Sequence, residues 1–168
     1  DQIPDGFELM NVGLDFGYTN DPTAIVKVYT DGHGFCLDEV CYSTGLLNTD
    51  ICQVLRGADI SRTTNIIADS AEPKSIDVIH GQGFNVYPCR KGRDSVRNGI
   101  DFMRSKPLMI TSRSVNGIKE LRNYKYKEDK NQRQLNEPVD AFNHFIDASR
   151  YAITFNATNP NYGSYQLG

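Results

Sequence analysis

The sequence predicts an α/β domain in which helices cover both faces of a mixed sheet of five or more strands. Three segments rich in β-branched residues follow one another near the N-terminus, with turn-forming residues between them. Short apolar strands then alternate with segments of helical periodicity. A last, long helical pattern completes a core that we expect to span about residues 9–155 of one domain covering 1–168.

The N-terminal part predicts an antiparallel meander, because its two connections are rich in Gly, Asn, Asp and Pro, which favour turns. The three predicted strands are residues 9–16, 24–29 and 35–42. Helix and strand then alternate, and Asn48 or Thr49 is the expected N-cap of the first helix. The predicted helices are 46–56, 73–80, 93–103 and 113–123, and the predicted strands are 65–68, 85–88 and 107–111.

The C-terminal part changes in character. Residues 124–135 are polar and charged in alternation, which indicates an exposed hairpin or flap. A long helix is predicted over 139–155, introduced by Asn136 and Pro138. Residues 156–168 are rich in Asn, Gly, Tyr and Ser, and we expect a loosely ordered tail there.

Composition argues against membrane insertion and secretion. No apolar run approaches the roughly 20 residues of a membrane helix, and the N-terminus lacks a signal-peptide pattern. The four cysteines are irregularly spaced, which is typical of reduced thiols in a cytosolic protein. A zinc site on His33 and Cys36 lacks a second ligand pair of the usual spacing.

Positive charge is concentrated in one stretch. Residues 90–133 contain 13 of the 18 Lys and Arg but five of the 21 Asp and Glu, so they carry +8 while the remainder carries −11. Phosphate binding depends on the surface presented rather than on the net charge of −3. This stretch is therefore a candidate nucleic-acid surface, with a solvated basic surface as the alternative.

Three aspartates are candidate metal ligands: Asp15 ends an apolar strand, Asp69 follows another, and Asp147 lies among apolar residues of the last helix. In the predicted last helix, the spacing of Asp140, His144 and Asp147 places these three residues on one face. Converging carboxylates repel one another unless a cation lies among them. Oxygen ligands favour Mg²⁺ or Mn²⁺, and two such ions about 4 Å apart would promote phosphodiester cleavage.

Each of these residues also has a structural explanation. Asp15 could be a turn residue, and Asp69 could cap the helix that follows it. Asp140 could interact with the helix dipole. His144 could be a structural histidine, or it could orient the water, accept a proton or join the metal ligands. Convergence of the set on one point is what favours a metal site.

Short motifs occur in a fixed order along the chain: GLDFGY at 13–18, IADSAEP at 67–73, RKG at 90–92, SV and GI within 95–100, and EPVD, NH and DASRYA within 137–152. Together they resemble the C-terminal nuclease domain of tailed-phage terminase large subunits, over about residues 9–155. The last group is the most specific, and the first is weak alone.

The resemblance implies an RNase H-like domain that cuts double-stranded, concatemeric viral DNA into genome lengths during packaging. It implies that Asp15, Asp69 and Asp147 bind two Mg²⁺ or Mn²⁺ ions, with His144 as a supporting catalytic residue and Asp140 as an accessory acid. The implied DNA contacts are Lys91 and Arg93 in one loop, and Lys125, Lys127 and Lys130 in a β-hairpin near the active site.

One departure limits the resemblance. Large terminases also contain an ATPase motor, but this sequence has no Gly-Lys-Ser/Thr phosphate loop. We therefore expect an excised domain that cuts DNA without hydrolysing ATP. The implied partners in the full-length protein are an ATPase domain, the small terminase subunit and the portal, in the host cytoplasm during viral assembly.

Other classes share some of these features. An ATP-binding domain of the actin and sugar-kinase type has a phosphate turn similar to DFGYT at 15–19, but it needs a second lobe and a Gly-rich adenosine loop that are not found. A protein kinase is excluded because its other motifs are missing. A resolvase-type RNase H-like nuclease and a DNA-binding module with purely structural acids remain alternatives.

Overall fold

The computed structural model describes residues 2–124, 126–128, 134–138 and 143–158, with the backbone alone for 126–128, 134–138 and Thr158. The strands are β1 (Glu8–Asp15), β2 (Thr23–Thr30), β3 (Phe35–Ser43), β4 (Asn65–Ala68), β5 (Asn85–Pro88), β6 (Leu108–Ile110), β7 (Tyr126–Glu128) and β8 (Gln134–Pro138). The helices are α1 (Asn48–Gly57), α2 (Pro73–Gly81), α3 (Ser95–Arg104), α4 (Val115–Asn123) and α5 (His144–Thr158).

Six of the strands form one mixed sheet in the order β5-β4-β1-β2-β3-β6. The predicted meander is confirmed, because β2 pairs antiparallel with both β1 and β3. Strand β4 lies parallel to β1, and β5 parallel to β4. Strand β6 joins the opposite edge, parallel to β3.

Two apolar cores lie on opposite faces of this sheet, because neighbouring side chains of a strand point to opposite sides. On β2, Ile25 packs in the core that includes α1 and α2, whereas Ala24 and Val26 pack in the core that includes α3 and α5. The predicted mixed sheet with helices on both faces is thus confirmed. No helix within the described ranges is long and apolar enough to cross a bilayer.

Helix α5 lies directly against the centre of the sheet. A Cβ atom built on Gly13 of β1 would lie 1.8 Å from the carbonyl oxygen of Ala148, so only glycine allows this approach. Asn11, also on β1 and fully buried, donates from Nδ2 to the carbonyl oxygen of Ala152 at 2.8 Å. Both contacts fix the position of α5 relative to the end of β1.

The predicted start of α5 is wrong. The helix begins at His144, and Asn143 precedes it as the residue whose carbonyl oxygen accepts the Asp147 N–H at 2.7 Å. The predicted helical spacing from Asp140 to His144 therefore does not apply, and Asp140 itself lies outside the described residues. Pro138 does not introduce the helix; it ends β8 and pairs with Tyr126.

The other boundaries need smaller corrections. The predicted hairpin is present as the antiparallel pair β7 and β8, and it extends to Pro138. Residues 156–158, predicted as part of a tail, belong to α5, which is anchored by buried Phe155 and by a hydrogen bond from Asn11 to Asn156. The rest of the predicted tail lies outside the described residues. The residue preceding α1 is Leu47 rather than a polar cap, and its N–H donates to Asp50.

Candidate active site

The first two aspartates lie at the same edge of the sheet. Strands β1 and β4 are parallel neighbours, so Asp15 ends one strand beside the residue that follows the other, Asp69. The Asp69 N–H donates to the carbonyl oxygen of Leu14 at 3.1 Å, which continues the ladder by one residue. Helix α5 runs along β1 in the opposite direction, with Ala152 against Asn11 and Ala148 against Gly13. Its first turn therefore lies at the end of β1 and brings His144 and Asp147 to the same edge.

Asp15 is buried and is held by residues of α5. Its Oδ2 atom lies 3.0 Å from Nδ1 of His144, and its Oδ1 atom accepts a longer bond of 3.5 Å from the Tyr151 hydroxyl. Burial raises the pKa of Asp15 to about 6; the hydrogen bond from His144 lowers it, and the charges of Asp147 and Asp69 raise it further. The three carboxylates are thus close enough to repel one another.

Asp69 is paired with a lysine. The Nζ atom of Lys91 lies 2.6 Å from Asp69 Oδ1, and that oxygen also accepts the Ala71 N–H at 3.0 Å. Burial lowers the pKa of Lys91, but the hydrogen bond and charge of Asp69 outweigh it and leave the value above the ordinary one. The Asp69 side chain therefore stabilises the turn that follows β4, through the Ala71 N–H, but it does not cap α2, whose N-cap is Glu72.

Asp147 is paired with an arginine of its own helix. Its Oδ1 atom accepts a hydrogen bond of 3.0 Å from Nη2 of Arg150, which lies one turn further along α5. Burial raises the pKa of Asp147, and the charge and hydrogen bond of Arg150 oppose that shift. Each of the three carboxylates therefore has a basic or hydroxyl partner.

The first turn of α5 is held by a residue that the sequence did not single out. Glu120 of α4 is 1% exposed, and its Oε2 atom accepts the Ile146 N–H at 3.0 Å. Its Oε1 atom accepts the Tyr42 hydroxyl at 2.7 Å, and Tyr42 in turn packs edge-on against His144. The sequence pattern that could have identified Glu120 is its spacing, because it follows Gly117 by one helical turn and shares its face of α4, which is buried.

The donor chemistry fits a hard divalent cation, because the set offers carboxylate oxygens that repel one another. Among the described residues, however, no three His, Cys, Asp or Glu side chains stand close enough to hold an ion together. Asp69 and Asp147 are engaged instead by Lys91 and Arg150. In each of these pairs the basic partner contacts the Oδ1 atom, and a metal ion competes with that partner for the charge of the carboxylate.

The predicted DNA contacts are only partly described. Lys91 and Arg93 lie exposed in the loop between β5 and α3. Lys127 lies in β7, of which the backbone alone is described, and Lys125 and Lys130 fall outside the described residues. Part of the basic stretch is neutralised, since Arg113 forms a bidentate pair with Asp38, a buried residue of β3.

The chain matches known sequences over most of its length. The family model described as a terminase RNase H-like domain matches residues 15–154. The large terminase subunit of Bacillus phage SPP1 is 34% identical over 156 residues, which are 88% of this chain and 36% of that protein. The PBSX phage terminase large subunit of Bacillus subtilis is 29% identical, over 86% of this chain and 34% of that protein. The chain thus spans about a third of these relatives.

Solved structures of large-terminase nuclease domains also match this chain. The crystal structure of the large-terminase nuclease domain from bacteriophage SPP1, with bound Mn, superposes with a TM-score of 0.78 at 30% identity and covers 88% of this chain and 86% of that one. The P22 large-terminase nuclease domain gives a TM-score of 0.69 at 15% identity, over 94% and 85% of the two chains, and supports the fold alone. The predicted RNase H-like fold class is therefore confirmed.

Proposed function

This chain belongs to the terminase RNase H-like domain family, and on that basis we propose that it is a metal-dependent endonuclease that cleaves double-stranded viral DNA concatemers during packaging. The observation that carries the proposal is the placement of Asp15, Asp69 and Asp147 at one edge of the sheet, close enough for their charges to repel one another. Such repulsion is relieved by a bound cation. The Mn in the SPP1 nuclease domain supports a divalent metal.

In this proposal the three aspartates hold two Mg²⁺ or Mn²⁺ ions, which supply the charge that polarises the attacking water and stabilises the leaving oxygen. His144 would accept the proton that the attacking water loses. If its Nδ1–H donates to Asp15, the Nε2 atom keeps a lone pair, and Nε2 faces the exposed Asp21 at 3.8 Å rather than the protein interior. Asp140 is proposed as an accessory acid.

DNA is proposed to lie across the loop that carries Lys91 and Arg93 and along the β7–β8 hairpin. Lysines at the hairpin contact phosphates without reading sequence, since phosphate contacts position DNA and base contacts specify it. The proposed hairpin lysines are Lys125, Lys127 and Lys130. Residues 1–168 are proposed to act as one nuclease domain.

The whole protein's partners follow from the relatives, of which this chain spans about a third. We infer an ATPase domain in the same polypeptide, the small terminase subunit and the portal, acting in the host cytoplasm during assembly. ATP hydrolysis is assigned to that other domain rather than to this one.

The test is cleavage of supercoiled plasmid by this domain with Mg²⁺, Mn²⁺ or EDTA. We expect nicking and degradation with either metal, and loss of at least about a hundredfold in Asp15→Asn, Asp69→Asn and Asp147→Asn. Asp77→Asn, an exposed aspartate on α2, is the matched control and should cut as the wild type does. Cleavage that persists in EDTA, or in Asp147→Asn, contradicts the proposal.

A further inference from the structure

A cavity of about 370 Å³ lies between α3, α5 and the loop after β5. Its size is at the lower end of the range of about 300–1,000 Å³ found for pockets that bind small organic ligands. The wall combines aromatic side chains with basic ones. The aromatic residues of the wall are Phe102, Tyr151 and Phe155, and the basic residues used in the argument below are Lys91, Arg93 and Arg150.

The cavity is next to the carboxylates described above. Three of its wall residues each contact a different aspartate of that site, so a ligand in the cavity lies one side chain away from all three. The contacts are Lys91 to Asp69 at 2.6 Å, Arg150 to Asp147 at 3.0 Å, and Tyr151 to Asp15 at 3.5 Å.

Arg150 is the residue that most clearly lacks a ligand. It is 94% buried, yet its Nε atom has no hydrogen-bond partner among the described residues. Its side chain is tightly held, because a Cβ on Gly99 would lie 2.6 Å from the Arg150 Cδ atom and the guanidinium lies 4.9 Å from the centre of the Tyr151 ring. A buried guanidinium N–H without an acceptor is costly.

We propose that this cavity binds one nucleotide of the DNA strand being cut, with its phosphate at Arg150 and Lys91 and its base against the aromatic wall. A phosphate in the cavity offers acceptors to the Arg150 guanidinium, which lines it, and a second charge partner to Lys91. The buried Nε atom gains its acceptor when the guanidinium turns toward the cavity. A phosphate alone makes no contact with the aromatic part of the wall, where half-buried Phe102 is the most accessible ring, whereas a base stacks favourably on an aromatic side chain. The assignment of the nucleotide to the strand being cut rests on the proposed function. The binding of a nucleotide in the cavity does not depend on that function.

The site is also too small for a duplex, so the bound nucleotide is unpaired. Extracting one nucleotide from a duplex costs a few kcal/mol and is least costly at a strand end or a disrupted pair. The occupant is therefore a terminal or extruded nucleotide beside the scissile bond.

The test is binding of deoxyadenosine monophosphate to the domain in EDTA, measured by calorimetry or ligand-observed NMR. We expect saturable binding, with deoxyadenosine and inorganic phosphate each at least about tenfold weaker, because each lacks half of the contacts. If inorganic phosphate binds as well as the nucleotide, the cavity is a simple anion site and the proposal is wrong. Equal binding of deoxyadenosine also overturns it.

Variants locate the site. Arg150→Met keeps side-chain atoms in the place of Cγ and Cδ, which pack against Gly99, but removes the guanidinium, and it should weaken nucleotide binding by at least about tenfold. Ala157→Trp, at an exposed position of the cavity wall, should block the cavity without touching the aspartates. Arg97→Met, on α3 but outside the cavity wall, is the control. Unchanged binding in Ala157→Trp overturns the proposal even if Arg150→Met does not fold.

Because binding is measured without metal, it does not depend on cleavage. Nucleotide binding with no plasmid cleavage contradicts the nuclease proposal alone. Cleavage with no nucleotide binding contradicts the cavity proposal alone.

Discussion

The carboxylate of Glu120 accepts the backbone N–H of Ile146 at 3.0 Å, so a side chain from α4 caps the first turn of α5. The N–H groups of a first helical turn have no partner within the helix, and negative charge there is favourable to the helix dipole. That turn carries His144 and Asp147. Glu120 therefore positions part of the proposed active site without touching it.

Replacing Glu120 tests this cap. Glu120→Ala leaves the Ile146 N–H and the Tyr42 hydroxyl buried without their acceptor, and we expect a loss of about 3 kcal/mol in the free energy of unfolding. Glu120→Gln keeps an oxygen acceptor and should cost only about 1 kcal/mol. Urea unfolding in EDTA measures both, with exposed Glu8→Gln as the control. Equal losses in Ala and Gln would show that charge, not hydrogen bonding, is what Glu120 contributes.

Close packing at Gly13 gives a second prediction. In Gly13→Ala the new Cβ meets the backbone carbonyl oxygen of Ala148 at 1.8 Å, and backbone cannot rotate aside, so α5 must move away from β1. We expect a loss of more than about 4 kcal/mol or failure to fold. Gly57→Ala is the matched control: its Cβ meets nothing within 4 Å, and a helical Gly→Ala change should stabilise by about 0.5–1 kcal/mol. A mild effect at Gly13 would contradict the close approach of α5.

The pKa of Asp15 predicts how stability depends on pH without metal. Because the folded-state pKa is raised to about 6 from an ordinary 3.8, the folded protein holds this proton more tightly than the unfolded chain does. Ionised Asp15 therefore destabilises the fold fully above about pH 6, and the penalty is relieved as the pH falls toward 4. It amounts to at most about 3 kcal/mol.

Asp15→Asn isolates this effect, because the amide cannot ionise but can still accept from His144. In EDTA at pH 7.5 we expect the variant to be more stable than the wild type, with the difference shrinking toward zero near pH 4. Urea unfolding at several pH values measures the difference. A difference that stays constant with pH contradicts the raised pKa.

Much of the fold could be predicted because it follows from local patterns. Apolar alternation and turn residues located the six strands of the main sheet and the helices α1 to α4 to within two residues, whereas the ends of the β7–β8 hairpin and of α5 were less accurate. The start of α5 could not be located from local sequence, because its first turn is capped by Glu120, which lies 26 positions before the Ile146 N–H that it accepts. The place of β6 beside β3 is likewise a long-range pairing that periodicity does not encode.

The candidate site likewise contains residues that could be predicted from the sequence and one that could not. Asp15 and Asp69 could be chosen because a charge at the end of an apolar strand is unusual, and parallel strands bring such ends together. Arg150 could not, since an arginine in a helix is ordinarily exposed. Its burial depends on Gly99 of another helix, which makes room for its side chain.

The ion pair between Lys91 and Asp69 gives a last prediction, in which two measurements move in opposite directions. Lys91 competes with a metal ion for the Asp69 carboxylate, and it is also a proposed phosphate contact. In Lys91→Met we expect Mn²⁺ to bind about two- to fivefold more tightly, since the half-exposed pair stabilises by only about 0.5–1 kcal/mol. Plasmid cleavage should nevertheless fall, and the salt dependence of DNA binding should flatten.

Calorimetric titration with Mn²⁺ and cleavage at several salt concentrations separate the two roles of Lys91. Lys74→Met, at an exposed lysine of α2, should change neither. Weaker Mn²⁺ binding in Lys91→Met would mean that the lysine orders Asp69 for the metal rather than competing with it. Unchanged DNA binding would remove the loop after β5 from the DNA-binding surface, because a phosphate contact cannot be lost without reducing the number of released counterions.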